Sequence, residues 1–167
     1  MLSAQDIIQK LNLQEHPEGG YFKETYRSVG EISLDDLEDG YAGKRNYSTA
    51  IYFLLTSNNF SAFHRVRQDE FWHFHTGSPL ELHMISEEGN CSSIIIGNNL
   101  EKDETPQFVV PGGHWFAASV IGKDSYSLVS CTVSPGFDFE DFELADGEKL
   151  IERYPEHKEI IKRFTRT

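Results

Sequence analysis

From Arg45 to Gly136 the chain repeats one pattern, a short run of β-branched and aromatic residues closed by turn residues. "STAIYFLLT" ends at "SNN", "FSAFHRV" at "RQD", and "EFWHFHTG" at Gly77-Ser78-Pro79. "LELHMISEEGN", "CSSIIIGNN", "TPQFVVPGGHWFAASV" and "YSLVSCTVSPG" continue it. Strands recurring about every ten residues, with no helical stretch between them, exclude βαβ units and predict an all-β sandwich or barrel.

Helical spacing returns only at the two ends. Ser3 to Leu13 reads as an amphipathic helix, with Ser3 and Asp6 spaced as a capping box and Ile7, Ile8 and Leu11 on one face. "HPEGG" stops it, because Pro17 and the paired glycines break helical geometry. "YFKETYRS" alternates as an edge strand would, and the acidic, glycine-punctuated residues 30–44 read as a surface excursion. Asp146 to Phe164 is helical again, with Pro155 opening its second piece. The expectation is one domain over residues 1–167: a helix at about 3–13, a β core at about 20–140 and a helical tail at about 146–164.

A chain of 167 residues with net charge −12 is poorly suited to nucleic acid or an anionic membrane as main partner. No run approaches membrane-spanning length and the first residues lack an apolar export core, which reads as soluble and cytoplasmic. Cys91 and Cys131 match no zinc or redox spacing and are expected to be unpaired, buried, small apolar residues.

Strand parity limits which polar residues can meet. On Glu70–Thr76, Glu70, Trp72 and Phe74 share one face and Phe71, His73 and His75 the other. The first set carries the larger apolar pair and should point inward. On the preceding strand Phe60, Ala62, His64 and Val66 share one parity, and Ser61, Phe63 and Arg65 the opposite one. His64 is therefore expected to face Glu70 across the Arg67-Gln68-Asp69 turn, while His73 and His75 look outward.

The same residues carry a resemblance to the cupin superfamily, whose first motif reads G-x5-H-x-H-x3,4-E-x6-G. His64, Glu70 and Gly77 stand at matching spacings, and "PGGHWF" places Pro111 and Gly113 in register with the second motif, P-x-G-x2-H-x3-N. "HPEGGYFKETYRS", "FSAFHRVRQDEFWHFHTG" and "VVPGGHWFAA" together resemble one small cupin family, mostly bacterial and fungal, without an assigned function. The resemblance implies a double-stranded β-helix, the jelly-roll barrel, with short helices at both ends. It also implies a homodimer, in keeping with the outward aromatics and histidines.

The superfamily's metal set is two histidines and a glutamate of the first motif plus the histidine of the second. Val66 and Phe116 stand at two of those four positions. His114, displaced by two residues, keeps the right parity. A divalent Fe, Mn, Ni or Zn site would thus be His64, Glu70 and His114, and the metal-free reading is favoured. "GGYFKETY" and "SAFHRV" are also similar to stretches of cupin nucleotide-sugar epimerases, R-G-x-F-x-E-x-F and G-L-H-x-Q. That similarity puts His64 at the base position, but Gly19 and Val66 replace the epimerase arginine and glutamine.

The candidate catalytic residues are therefore His64 and Glu70. Candidate ligand contacts are Arg27 as an anion anchor, with Arg45 behind it, and Tyr52, Trp72, His83 and Trp115. Each has a structural alternative: an edge ion pair for Arg27, core packing for Trp72, and a strand face or interface for His83 and Trp115. Three functions remain open. The first is a small-molecule-binding cupin acting as a metal-independent isomerase or epimerase on a carbohydrate-like substrate. The second is a metal-dependent oxygenase or isomerase, and the third a non-catalytic binding or storage module.

Overall fold

The computed structural model describes residues 2–166. Helix α1 (Ala4–Leu11) is closed by its capping box: Ser3 N donates to Asp6 Oδ2 at 2.9 Å and Asp6 N to Ser3 Oγ at 3.2 Å. Two strands follow, β1 (Gln14–Glu15) and β2 (Tyr21–Arg27), then β3 (Glu31–Ile32) and β4 (Arg45–Asn46). These last two pair with each other, so the acidic excursion is anchored as a small ribbon. The main strands are β5 (Thr49–Thr56), β6 (Phe60–Val66), β7 (Glu70–Gly77), β8 (Leu80–Ile85), β9 (Cys91–Ile96), β10 (Gln107–Val110), β11 (Trp115–Val120) and β12 (Tyr126–Val133). Strand β13 (Phe142–Leu144) and helices α2 (Gly147–Arg153) and α3 (Lys158–Arg163) complete the chain.

Two antiparallel sheets face each other, one ordered β1-β2-β5-β12-β7-β10 and the other β13-β6-β11-β8-β9. Strand β12 shows why: Ser127, Val129, Cys131 and Val133 are buried, while the residues between them are only partly covered. That period of two gives the sheet one dry face. The dry faces meet in a core containing Phe53, Leu55, Leu82, Phe116 and Val129. On the other sheet both faces are covered, because α2 and α3 pack over Phe63, Ile85 and Ala117 through Leu150, Ile161 and Phe164. Helix α1 lays Ile7 against Leu54 on the outside of the six-stranded sheet.

"TPQFVVPGGHWFAASV" is two strands in different sheets, divided at Pro111-Gly112-Gly113. Gly113 has φ +80° and its N–H reaches the Val66 carbonyl at 2.8 Å, so the turn needs a residue free to take left-handed backbone.

Strand β7 follows its parity, with Glu70 and Trp72 buried and Phe71 and His75 exposed. His73 Nε2 lies 2.9 Å from Thr132 Oγ1, and His75 bonds Ser130 Oγ, both on the outer face. Strand β6 departs from it. Phe116 pairs with His64 and Ala118 with Ser61, so β6 carries one extra residue between these pairs. This bulge turns Ser61 inward beside His64 and sends Phe60 outward against Phe164, at 5.7 Å between rings. Strict alternation had placed Phe60 with His64 and Ser61 opposite.

Candidate active site

The barrel encloses a cavity of about 230 Å³. The residue that organises its floor comes from the turn that stops α1. Gly19 N donates to His16 O and His16 N to Gly20 O, both at 3.0 Å, and Ala62 N clips the turn to β6 through Glu18 O at 2.8 Å. Gly19 and Gly20 have φ of +109° and +78°, and a Cβ on Gly19 would collide with the Phe60 carbonyl and the Arg166 guanidinium. No arginine of the epimerase kind fits there.

So held, Glu18 reaches into the barrel and is itself buried. Its Oε1 accepts from Ser61 Oγ at 2.8 Å and its Oε2 lies 2.9 Å from His64 Nε2. His64 Nδ1 lies 2.7 Å from the Ala62 carbonyl. Both imidazole nitrogens therefore face oxygen acceptors, and a proton must lie on each N···O axis. Burial opposes charge on either partner, yet the pair overrides it: Glu18 and the strand carbonyl raise the His64 pKa, and His64, His16 and Ser61 hold Glu18 below the usual carboxylate range. The result is a buried ion pair.

This corrects the expected role of His64. A general base needs a lone pair directed at substrate, and neither ring nitrogen is free. His16 is the neutral neighbour. Its Nδ1 accepts from Glu18 N at 3.3 Å, and burial lowers its pKa, with Glu18 opposing and His64 adding to the fall.

Glu70 is different. It lines the same cavity and is 8% exposed. Burial pushes its pKa up to about 7 and Glu18 adds to the rise, while His64, the Cys131 thiol and the Trp72 indole pull the other way. The Trp72 Nε1–H is buried beside this carboxyl, close enough to favour its ionised form. Cys131, expected to be merely core, is therefore a wall of the site, its thiol held well above the ordinary range by burial and then by Glu70. Cys91 is exposed rather than buried, and both thiols are free.

Of the expected ligand contacts, Arg27 and Trp72 line the cavity. Arg27 is already engaged: its Nε and Nη2 donate to Glu24 at 2.9 and 2.7 Å, and Nη1 to Asn46 Oδ1 at 2.8 Å. Arg45 is no anchor behind it. Its Nε and Nη2 grip the two Asp141 oxygens at 2.7 Å each, fully inside the protein. Tyr52 sits outside the barrel near α1, where the alternation along β5 sends it, and faces His75. His83 lies on the helix-covered face of β8, 5.0 Å from the Phe164 ring. Trp115 packs in the outer core beneath Arg65. These three do not reach the cavity. Sequence reasoning missed Glu18 and His16, whose signal was the "HPEGG" turn itself, read only as a helix stop.

The residues present do not fit a divalent metal. His64 has no lone pair to give, Val66 has no donor, and the Phe116 ring lies 4.1 Å from the imidazole, where a third ligand would stand. His114, proposed as the displaced ligand, belongs to the turn before β11 and is not among the residues that line the cavity. Among the described residues no three His, Cys, Asp or Glu side chains converge as a ligand set.

A double-sheet barrel with a buried acid–histidine pair and a near-neutral carboxyl in its cavity defines a jelly-roll pocket protein. The chain belongs to the family described as "Cupin superfamily (DUF985)", matched over residues 5–145. It is 34% identical over 155 residues to the uncharacterized protein YML079W of Saccharomyces cerevisiae, covering 87% of this chain and 77% of the yeast protein. A hypothetical protein from Leishmania major has a solved structure similar at TM-score 0.91 and 39% identity, covering 99% of this chain and all 100% of that one. Protein SO0799 from Shewanella oneidensis is similar at TM-score 0.87 and 40% identity, covering 99% of both chains. A dTDP sugar isomerase from Desulfovibrio desulfuricans shares the fold alone, at TM-score 0.53 and 12% identity over 76% of this chain and 82% of that one.

Proposed function

We propose that this cupin binds a small molecule in its barrel and catalyses a metal-independent proton shift next to a carbonyl, an isomerase-type reaction. One observation carries the reading: Glu70 is a buried carboxyl in the cavity with no cation bonded to it, adjacent to the His64–Glu18 ion pair. A carboxyl that titrates near neutral pH exists in both the accepting and the donating form under working conditions. In the ionised form Glu70 takes a proton from the carbon beside the carbonyl, and the electron pair moves onto the carbonyl oxygen. Where the α-carbon carries a hydroxyl, the hydroxyl proton passes to the former carbonyl oxygen, its oxygen becomes the new carbonyl, and protonated Glu70 returns its proton to the former carbonyl carbon, regenerating the carboxylate. The His64 cation, fixed by Glu18, lies near enough to influence Glu70 and offsets the charge that develops. The fold likeness to a dTDP sugar isomerase agrees with such chemistry, whereas the absence of an arginine at Gly19 argues against its nucleotide substrate.

Solvent deuterium tests it. Protein in D2O is incubated with a panel of aldoses, ketoses and simple enolisable ketones, and incorporation beside the carbonyl is followed by proton NMR. Catalysed incorporation by the wild type, lost in Glu70→Gln with the fold intact, is the expected outcome. Equal incorporation by both proteins, or none for any compound that binds, sinks the proton-transfer reading.

A further inference from the structure

The aromatic side of the cavity holds one polar group that the proton-transfer steps leave idle. His16, in the turn that stops α1, lines the cavity with its side chain only 7% exposed. Its ring meets Phe22 and Phe53 at near right angles, 4.6 and 6.1 Å between centroids, with Phe139 and Phe142 at 6.0 and 5.9 Å. Nδ1 accepts from Glu18 N at 3.3 Å. Burial drives the His16 pKa down against the pull of Glu18, and His64 adds to the fall. The imidazole is therefore uncharged, and its single proton sits on Nε2. That N–H has no hydrogen-bond partner among the described residues, and the phenylalanine rings around it carry no oxygen or nitrogen. Unlike the Trp72 and Trp115 indole nitrogens, which the protein seals off, Nε2 keeps accessible surface on a ring that lines the cavity.

Such a donor supplies what the other walls lack. Glu18, Glu24, Glu70 and Asp138 are acceptors, and ligand hydroxyls can donate to them. A carbonyl oxygen has no proton to give and needs an N–H. The cationic donors on the walls, Arg27 and His64, already hold Glu24 and Glu18. His16 and Glu70 also adjoin the same ion pair: His16 Nδ1 lies 3.5 Å from Glu18 Oε2, and both Glu18 and His64 act on Glu70.

We propose that His16 receives the ligand's carbonyl oxygen, its Nε2–H donating to that oxygen in the complex and to the enolate oxygen once Glu70 has taken the neighbouring proton. His16 gives a hydrogen bond and keeps its proton, and the bond strengthens as the electron pair reaches the oxygen. The enolate step rests on the proton-transfer reading; the hydrogen bond to a carbonyl rests on the surroundings of His16 alone.

Ring nitrogens labelled with 15N report tautomer and hydrogen bonding directly, and His16→Gln identifies the His16 signals among the seven histidines. At pH 7 the free protein should show His16 with Nδ1 bare and Nε2 protonated. Cyclohexanone and dihydroxyacetone should move its Nε2 signal and leave those of His73 and His75, on the outer face, in place. Methylenecyclohexane, of the same shape as cyclohexanone but without the oxygen, should not. A proton on Nδ1, or an Nε2 signal unmoved by both carbonyl probes, overturns the proposal, and the wild-type spectra decide this even if a variant fails to fold. Any compound that the wild type exchanges in D2O should be exchanged about a hundredfold to a thousandfold more slowly by His16→Phe, the loss falling on kcat. His16→Gln, which keeps an N–H, should recover part of it. Moved Nε2 signals with no exchange of any compound remove the proton-transfer reading and leave the hydrogen bond standing. Undiminished exchange by folded His16→Phe keeps that reading and removes His16 from it.

Discussion

Glu18 Oε2 stands 2.9 Å from His64 Nε2 inside the barrel, joining the turn after the first helix to a strand of the opposite sheet. Ser61 and Ala62 complete the arrangement, because the bulge in β6 brings both within reach of the same two residues. The pair is the fixed charge of the cavity, and Glu70 is its titrating partner.

Breaking that pair should be expensive. Glu18→Gln leaves an imidazolium without its counter-charge in the interior, and loss of one member of a buried pair costs about 3–5 kcal/mol. Urea denaturation at pH 6 should show a loss of that size. The sign with pH follows from the two shifts. His64 is raised, so its contribution is complete below its unfolded pKa and fades as pH climbs through the folded one; Glu18 is lowered, so its contribution is complete above its unfolded pKa and fades on acidification. A stability difference between wild type and variant that does not shrink at high pH would contradict the ion pair.

Glu70 should impose a slope of the same sign as His64 and opposite to Glu18. Its folded pKa of about 7 lies above the ordinary value of 4.5, so between these limits the folded state holds the extra proton and stability falls as pH rises. The difference between wild type and Glu70→Gln from pH 4 to pH 8 should therefore change by up to about 3 kcal/mol, against the wild type at the alkaline end. Parallel pH–stability curves would show that Glu70 titrates normally.

Arg45 predicts a purely structural phenotype. Asp141 accepts both its donors and also Gln68 Nε2 at 2.7 Å, all out of contact with solvent. Asp141→Ala removes the bidentate partner of a buried guanidinium, leaving it Glu140 Oε2 at 3.5 Å and the Gly43 and Lys44 carbonyls, and should cost at most about 3–5 kcal/mol. Binding of a cavity ligand measured below the melting transition should be unchanged. A selective loss of binding without loss of stability would return Arg45 to the site.

The two thiols should separate by reactivity. Cys91 is exposed and Cys131 is 4% exposed beside Glu70, where the thiolate is strongly disfavoured. An aromatic disulfide reagent should therefore label one cysteine quickly and the second only on unfolding. Cys131→Ser should leave the fast phase intact.

Much of the architecture was legible because it is local. The capping box of Ser3 and Asp6, the alternation along Glu70, Phe71, Trp72 and His73, and the turn signals between strands are properties of near neighbours. They placed Glu70 and Trp72 inside and His73 and His75 outside. Parity failed on β6 because a bulge is invisible in a pattern of period two, and so Ser61 and Phe60 exchanged faces. Tyr52, His83 and Trp115 misled for a related reason. Aromatic character marks a buried side chain, but this fold has an inner core and helix-covered outer cores.

The sequence by itself determined the strand rhythm, the facing of β7 and the helices at the ends, since each follows from residues a few positions apart. It also determined that Val66 and Phe116 break the metal motif. Only the tertiary structure decided that Glu18 takes both the His64 ring and the Ser61 hydroxyl, and that Glu70 is buried beside that pair with its pKa pushed up to about 7. Those outcomes depend on two sheets closing over a turn and expelling water, and desolvation is a property of the assembled barrel that no stretch of residues carries.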